Sequence, residues 1–281
     1  MAFKDLLVHL DTAASCAGRV RLAIELAKAH EAHLTGLYVI GEPLIPQMVL
    51  GFVPEGVVAE QQKRSKERAE ASVGRFRDAA EREGIRFECR IAHTDDPDIV
   101  ATVAQHARYV DLTVLGRPDP DNREVPLRLA EQVALTSGRP IMAVPHMESD
   151  APAGPAERIL VAWDGSREAT RAVHDALPLL TGAASVIVLC VNPQRTAARY
   201  EAEPGADIAL HLARHDVRTE VQQASADDGA EGEAILSAAL DSGANLIVAG
   251  AYAHSRIREL VLGGVTRTLL RSTTVPVLMA H

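Results

Sequence analysis

Two stretches of the chain share one pattern: Lys4-Asp-Leu-Leu-Val-His-Leu-Asp11 and Arg158-Ile-Leu-Val-Ala-Trp-Asp164. Each is a short apolar run closed by an aspartate, which reads as a buried strand leading into a turn. After each run, apolar residues fall three and four positions apart. They are Val20, Ile24 and Ala27 in the first case, and Ala169, Val173, Ala176 and Leu180 in the second. That spacing gathers them on one face of a helix. Second strands follow at His33-Leu-Thr-Gly-Leu-Tyr-Val39 and Ser185-Val-Ile-Val-Leu-Cys-Val191. Further on, Tyr109-Val-Asp-Leu-Thr-Val-Leu-Gly116 parallels Ala244-Asn-Leu-Ile-Val-Ala-Gly250, and Ser137-Gly-Arg-Pro-Ile-Met-Ala-Val144 parallels Thr273-Thr-Val-Pro-Val-Leu-Met-Ala280. The chain is a tandem duplication.

The copies differ in length. Asp164 follows Asp11 by 153 positions, whereas Gly250 follows Gly116 by 134. The surplus in the first copy fits a loop over residues 41–56 and a long charged helix over 57–83. Residues 148–157, rich in Ala, Pro, Gly and acidic groups, have linker composition. The reading is therefore a domain over 1–147, a linker, and a second domain over 158–281. Strands that alternate with helices and are apolar throughout predict an α/β fold, with parallel sheets covered by helices on both faces. Ligands in such sheets bind beyond the carboxyl ends of the strands, at a topological switch point.

Composition narrows the function. A hydrophobic fraction of 47% and a charged fraction of 24% suit a globular domain. No apolar run is long enough to span a bilayer, and the N-terminus reads as a strand rather than a signal peptide. Cys16, Cys89 and Cys190 are scattered without metal or CxxC spacing, which fits a reducing cytoplasm. A net charge of −9 argues against a nucleic-acid binder.

The turns after the first strands, Asp11-Thr-Ala-Ala-Ser and Asp164-Gly-Ser-Arg-Glu, carry no GxGxxG, and no P-loop is present. Phosphate-type glycines instead follow the last-but-one strand of the second copy, in Gly250-Ala-Tyr-Ala-His-Ser-Arg256 and Gly263-Gly-Val-Thr266. A glycine at a strand exit permits close approach, and glycines opening a helix expose N–H groups to an anion.

On these residues the chain resembles the universal stress protein (UspA) family, whose nucleotide-binding members carry G-x2-G-x9-G-[ST] after the fourth strand. Here Ala253 stands for the second glycine and Gly264 for Ser/Thr, while Val265 and Thr266 again suit the family. The resemblance covers both copies. It implies a Rossmann-like fold with five parallel strands per copy, paired through the last strands 141–144 and 275–280 as an intrachain pseudo-dimer. It also implies ATP in the second copy, where magnesium should help because adjacent phosphates repel one another. Adenine and ribose would lie near Ala162, Trp163, Asp164 and Val191, and the phosphates near Gly250, Ala253, His254, Gly263, Gly264, Val265 and Thr266. A lost hydrogen bond to a charged group costs about 1.5–3 kcal/mol, so the two substitutions weaken binding rather than erase it. The other reading of Asp164-Gly-Ser is a turn with an N-cap at Ser166.

The first copy departs further, with Arg117-Pro-Asp-Pro-Asp-Asn-Arg-Glu124 after Gly116 and no glycine pair. Its site is expected to be degenerate and its role structural or regulatory. His254 and Arg256 are candidates to reach a terminal phosphate, against a solvated loop. His30-x2-His33 and His211-x3-His215 invite a metal reading, but neither has a third ligand nearby in sequence, so no metal site is expected. No GxSxG elbow places a nucleophile. The run 63–82 alternates sign as a solvated helix face does. The leading function is an ATP-binding stress-response regulator. The alternatives are a slow ATPase and an assembly protein that binds no nucleotide.

Overall fold

The computed structural model describes residues 2–41, 55–94, 99–122, 124–146, 156–194, 205–251 and 264–281. In the first copy the order is β1 (Asp5–Leu10), α1 (Cys16–His30), β2 (His33–Gly41), α2 (Glu55–Glu83), β3 (Phe87–Thr94), α3 (Ile99–Ala107), β4 (Leu112–Gly116), α4 (Leu129–Thr136) and β5 (Ile141–Val144). The second copy gives β6 (Arg158–Ala162), α5 (Arg167–Leu180), β7 (Ser185–Val191), α6 (Ala206–Ala213), β8 (Thr219–Ala224), α7 (Glu231–Ser242), β9 (Leu246–Gly250), α8 (Gly264–Ser272) and β10 (Val277–Ala280). The long charged helix read over 57–83 is α2. The linker segment 148–155 lies outside the described residues.

Each copy forms five parallel strands, and the two sets join into one ten-stranded sheet of order β3-β2-β1-β4-β5-β10-β9-β6-β7-β8. The join is the antiparallel pair β5–β10, in which Met142 faces Leu278 with Val277 opposite Ala143 and Met279 opposite Ile141. Met142 and Leu278 are equivalent positions of the duplication, so a pseudo-twofold axis passes between them. Both are buried. Pairing these last strands removes the apolar edge that each copy would otherwise expose.

Two apolar layers cover the sheet. One gathers Val20, Ile24 and Phe76 with Val173, Leu177 and Leu212, from α1, α2, α5 and α6. The other gathers Val103, Val133, Ile235 and Leu269, from α3, α4, α7 and α8. Corresponding helices of the two copies share a face, as the twofold relation requires. Gly36 in β2 lets α2 lie close, since a Cβ there would come 2.5 Å from the Phe76 ring. No helix among the described residues is long and apolar enough to cross a membrane.

Candidate functional site

In the second copy β6 pairs with β7 on one side and β9 on the other. The chain proceeds outward from β6 to β7 and returns through β9 on the opposite side. The crevice between the ends of β6 and β9 is therefore the topological switch point. Ala162 pairs with Leu189 and Ala249, and Trp163 N donates to Leu189 O at 2.9 Å. Ala162, Trp163, Asp164, Val191 and Gly250 thus come together at the ends of three adjacent strands. Trp163 is half-buried against the core layer under α5.

Asp164 builds the turn that starts α5. Its Oδ1 accepts from Ser166 N at 2.9 Å, Gly165 takes the left-handed conformation at φ 71°, and Ser166 Oγ accepts from Ala169 N at 3.0 Å. The turn-and-cap reading of Asp164-Gly-Ser is what the local geometry shows. Gly250 packs directly against this helix start. A Cβ on it would lie 2.5 Å from Ala169 N and 2.7 Å from Glu168 C, so the glycine is required by close backbone approach.

Gly264 opens α8 and is exposed, and no other group among the described residues lies within 4 Å of where its Cβ would stand. Val265 is half-buried and Thr266 buried. Because α8 connects parallel neighbours β9 and β10, its N-terminus lies at the same sheet edge as Gly250. Two helix starts, those of α5 and α8, therefore bring their partial positive charge to this edge. Ala253, His254, Arg256 and Gly263 lie outside the described residues.

Asn192 was not singled out from sequence. It takes φ 50° just after β7, its Nδ2 donates to Ala226 O at 2.9 Å, and its Oδ1 accepts from Ala226 N at 2.8 Å. It ties the exits of β7 and β8 together and fixes the backbone at Val191. The available signal was an asparagine ending a strand run, the type that tolerates left-handed backbone best after glycine.

The first copy shows what became of the equivalent place. By strand register His9 stands for Ala162, Asp11 for Asp164 and Arg19 for Ala172. Arg19 is buried, pairs with Asp11 at 2.8 Å and donates from Nε to His9 O at 2.8 Å. A Cβ on Gly116 would run into its guanidinium. Leu127-Arg128 occupies the positions of Gly263-Gly264, and Arg128 is bound to Glu131 at 2.8 Å. Glu124 draws the intervening loop down by accepting from Thr12 Oγ1 at 2.6 Å and by pairing with Arg68 of α2. What remains is a cavity of about 20 Å³ bounded by His9, Asp11, Arg19, Gly116 and Asn122, room for about one water. His9 Nδ1 has no partner among the described residues, and burial followed by the Arg19 charge pushes its pKa down to about 4, against the opposing pull of Asp11.

A family model described as the universal stress protein family matches residues 2–145 and again residues 155–281. The chain belongs to the universal stress protein family. Solved structures agree in fold. A universal stress protein from Archaeoglobus fulgidus superposes with a TM-score of 0.73 at 18% identity, over 98% of this chain and 95% of that one. A functionally unknown protein from Pseudomonas aeruginosa gives 0.56 at 16% identity, over 99% and 92%. Over 46 residues, 16% of each chain, this universal stress protein is 48% identical to universal stress protein Slr1230 of Synechocystis. That local match spans well under two thirds of the relative's length.

Proposed function

We propose that this universal stress protein is an ATP-binding regulator that holds the nucleotide in its second copy, with the first copy as a closed structural partner. The observation that carries the reading is the exposed helix start at Gly264, on the same sheet edge as Gly250 and the Asp164 turn. Open N–H groups at a helix start donate to phosphate oxygens, and a strand-exit carboxylate accepts hydrogen bonds from ribose hydroxyls or an adenine amino group. The family pattern supports placing phosphates along Gly250, Ala253, His254, Gly263, Gly264, Val265 and Thr266, with the nucleoside at Ala162, Trp163, Asp164 and Val191. Magnesium lowers the mutual repulsion of the phosphates. The bound nucleotide is read here as a signal that alters conformation or partner choice, not as a substrate.

The same comparison supports a silent first copy. Its helix start carries Leu127 and Arg128 in place of the glycines, and Arg19 fills the volume behind Gly116. Mass spectrometry of the small molecule released on denaturation, followed by calorimetric titration with ATP and magnesium, tests both halves of the reading. Adenine nucleotide and one site per chain are expected. Two sites of similar affinity would refute the silent copy, and no binding at all would leave an assembly role in its place.

A further inference from the structure

The pair His211-x3-His215 gains a third histidine from another helix. His211 lies in α6 and His215 just past its end, while His174 belongs to α5. The ring centroids of His174 and His211 are 5.0 Å apart, and those of His211 and His215 are 4.8 Å apart. Zinc–nitrogen bonds of about 2.0–2.1 Å at tetrahedral angles place two coordinating imidazole centroids about 5 Å apart. Both neighbouring pairs already have that spacing.

The ring nitrogens are also in a suitable state. His174 Nδ1 lies 2.8 Å from Thr170 O. A carbonyl only accepts, so Nδ1 carries the proton and Nε2 keeps its lone pair, the arrangement typical of a histidine ligand. His211 Nε2 is buried and has no hydrogen-bond partner among the described residues, a condition that calls for a water or an ion.

We propose that His174, His211 and His215 bind one divalent transition-metal ion of the zinc and copper class. Imidazole ligands select such ions over magnesium or calcium, which take oxygen donors. No three ligating groups among the described residues are yet set around a common cation position. Closing the set takes rotation of the His215 ring, for which the described residues provide no hydrogen bond or ion pair. Sequence spacing offered only a two-histidine pair, because the third ligand arrives through the packing of α5 beside α6. Once bound, the metal would fasten these two helices together.

The test uses the tag-free, metal-stripped full-length protein. Zinc chloride is titrated in competition with a chromogenic chelator, and thermal melts are recorded with and without zinc. One zinc per chain is expected, with a rise in melting temperature. His174→Ala, His211→Ala and His215→Ala should each weaken zinc binding at least tenfold and remove that rise, with circular dichroism showing each variant folded. His174 is exposed, so its replacement separates metal binding from folding. Absence of zinc binding would overturn the proposal. So would a folded His174→Ala variant that binds zinc as tightly as the parent.

Discussion

Arg19 lies 2.8 Å from Asp11 in the first copy, and both side chains are almost wholly removed from water. The second copy has Ala172 at the equivalent position, and Asp164 there is only half-buried. One ion pair therefore converts a strand-exit carboxylate that faces a crevice into part of the core. Deleting one partner of a buried pair leaves an uncompensated charge, which costs about 3–5 kcal/mol. Arg19→Ala should lower the unfolding free energy by that amount in urea titrations. Arg19→Ala combined with Asp11→Asn should recover part of it, because no buried charge is then stranded. A loss below about 1 kcal/mol in the single variant would mean that water enters to solvate Asp11.

Acid should weaken the same place. His9 has its pKa pushed from 6.5 to about 4 in the folded chain, so the unfolded chain takes up the proton more readily. The stability this histidine permits is complete above pH 6.5 and is lost as pH falls from 6.5 toward 4. That difference is worth at most about 3 kcal/mol. His30, His106 and His211 also sit below their ordinary values and act with the same sign. His9→Leu should therefore flatten, but not abolish, the dependence of unfolding free energy on pH between 6.5 and 4. An unchanged slope would assign the effect to the other three.

The fold was legible because its information is repetitive. Apolar strands such as Leu160–Val161 and Ile247–Val248 are buried on both faces and so need no polar alternation that would disguise them. The outer strands β3 and β8 were harder to see. Their residues, Phe87–Thr94 and Thr219–Ala224, are half-buried or exposed apart from Thr94, because each lies at a sheet edge with less to pack against. At the site, Gly250 and the Asp164 turn were legible as types. The reason for Gly250 was not, since it depends on the backbone of Ala169, some eighty residues away. Arg19 as a plug was likewise hidden, because an arginine on a helix ordinarily reads as a surface residue.

Gly250 offers a direct check on that packing. A Cβ there would stand 2.5 Å from Ala169 N, and backbone cannot swing aside as a side chain can. Overpacking of this kind costs about 1–3 kcal/mol. Gly250→Ala should lower the melting temperature clearly, whereas Gly264→Ala, which meets no other group among the described residues, should leave it nearly unchanged. Equal melting temperatures for the two variants would show that β9 and α5 are not held so close in solution.

The ATP site is tested most cleanly at Gly264, because there folding and binding can be separated. The residue is exposed, and no other group among the described residues lies within 4 Å of an added Cβ. Substitution at such a surface position changes stability by about 0.5 kcal/mol or less. If phosphates rest on the start of α8, however, a valine side chain would stand in their path and keep them from the N–H groups. Gly264→Val should therefore melt like the parent and bind ATP with magnesium at least tenfold more weakly, about 1.4 kcal/mol. Ala253→Gly, which restores the family residue, should leave affinity unchanged or raise it by freeing the loop backbone. Gly263→Val should act like Gly264→Val, since Gly263 immediately precedes Gly264 in the sequence. Titration calorimetry on each variant, after circular dichroism, reads all three. A folded Gly264→Val protein that binds ATP as well as the parent would show that the phosphates lie elsewhere, with the glycine pair serving only the path of the chain into α8.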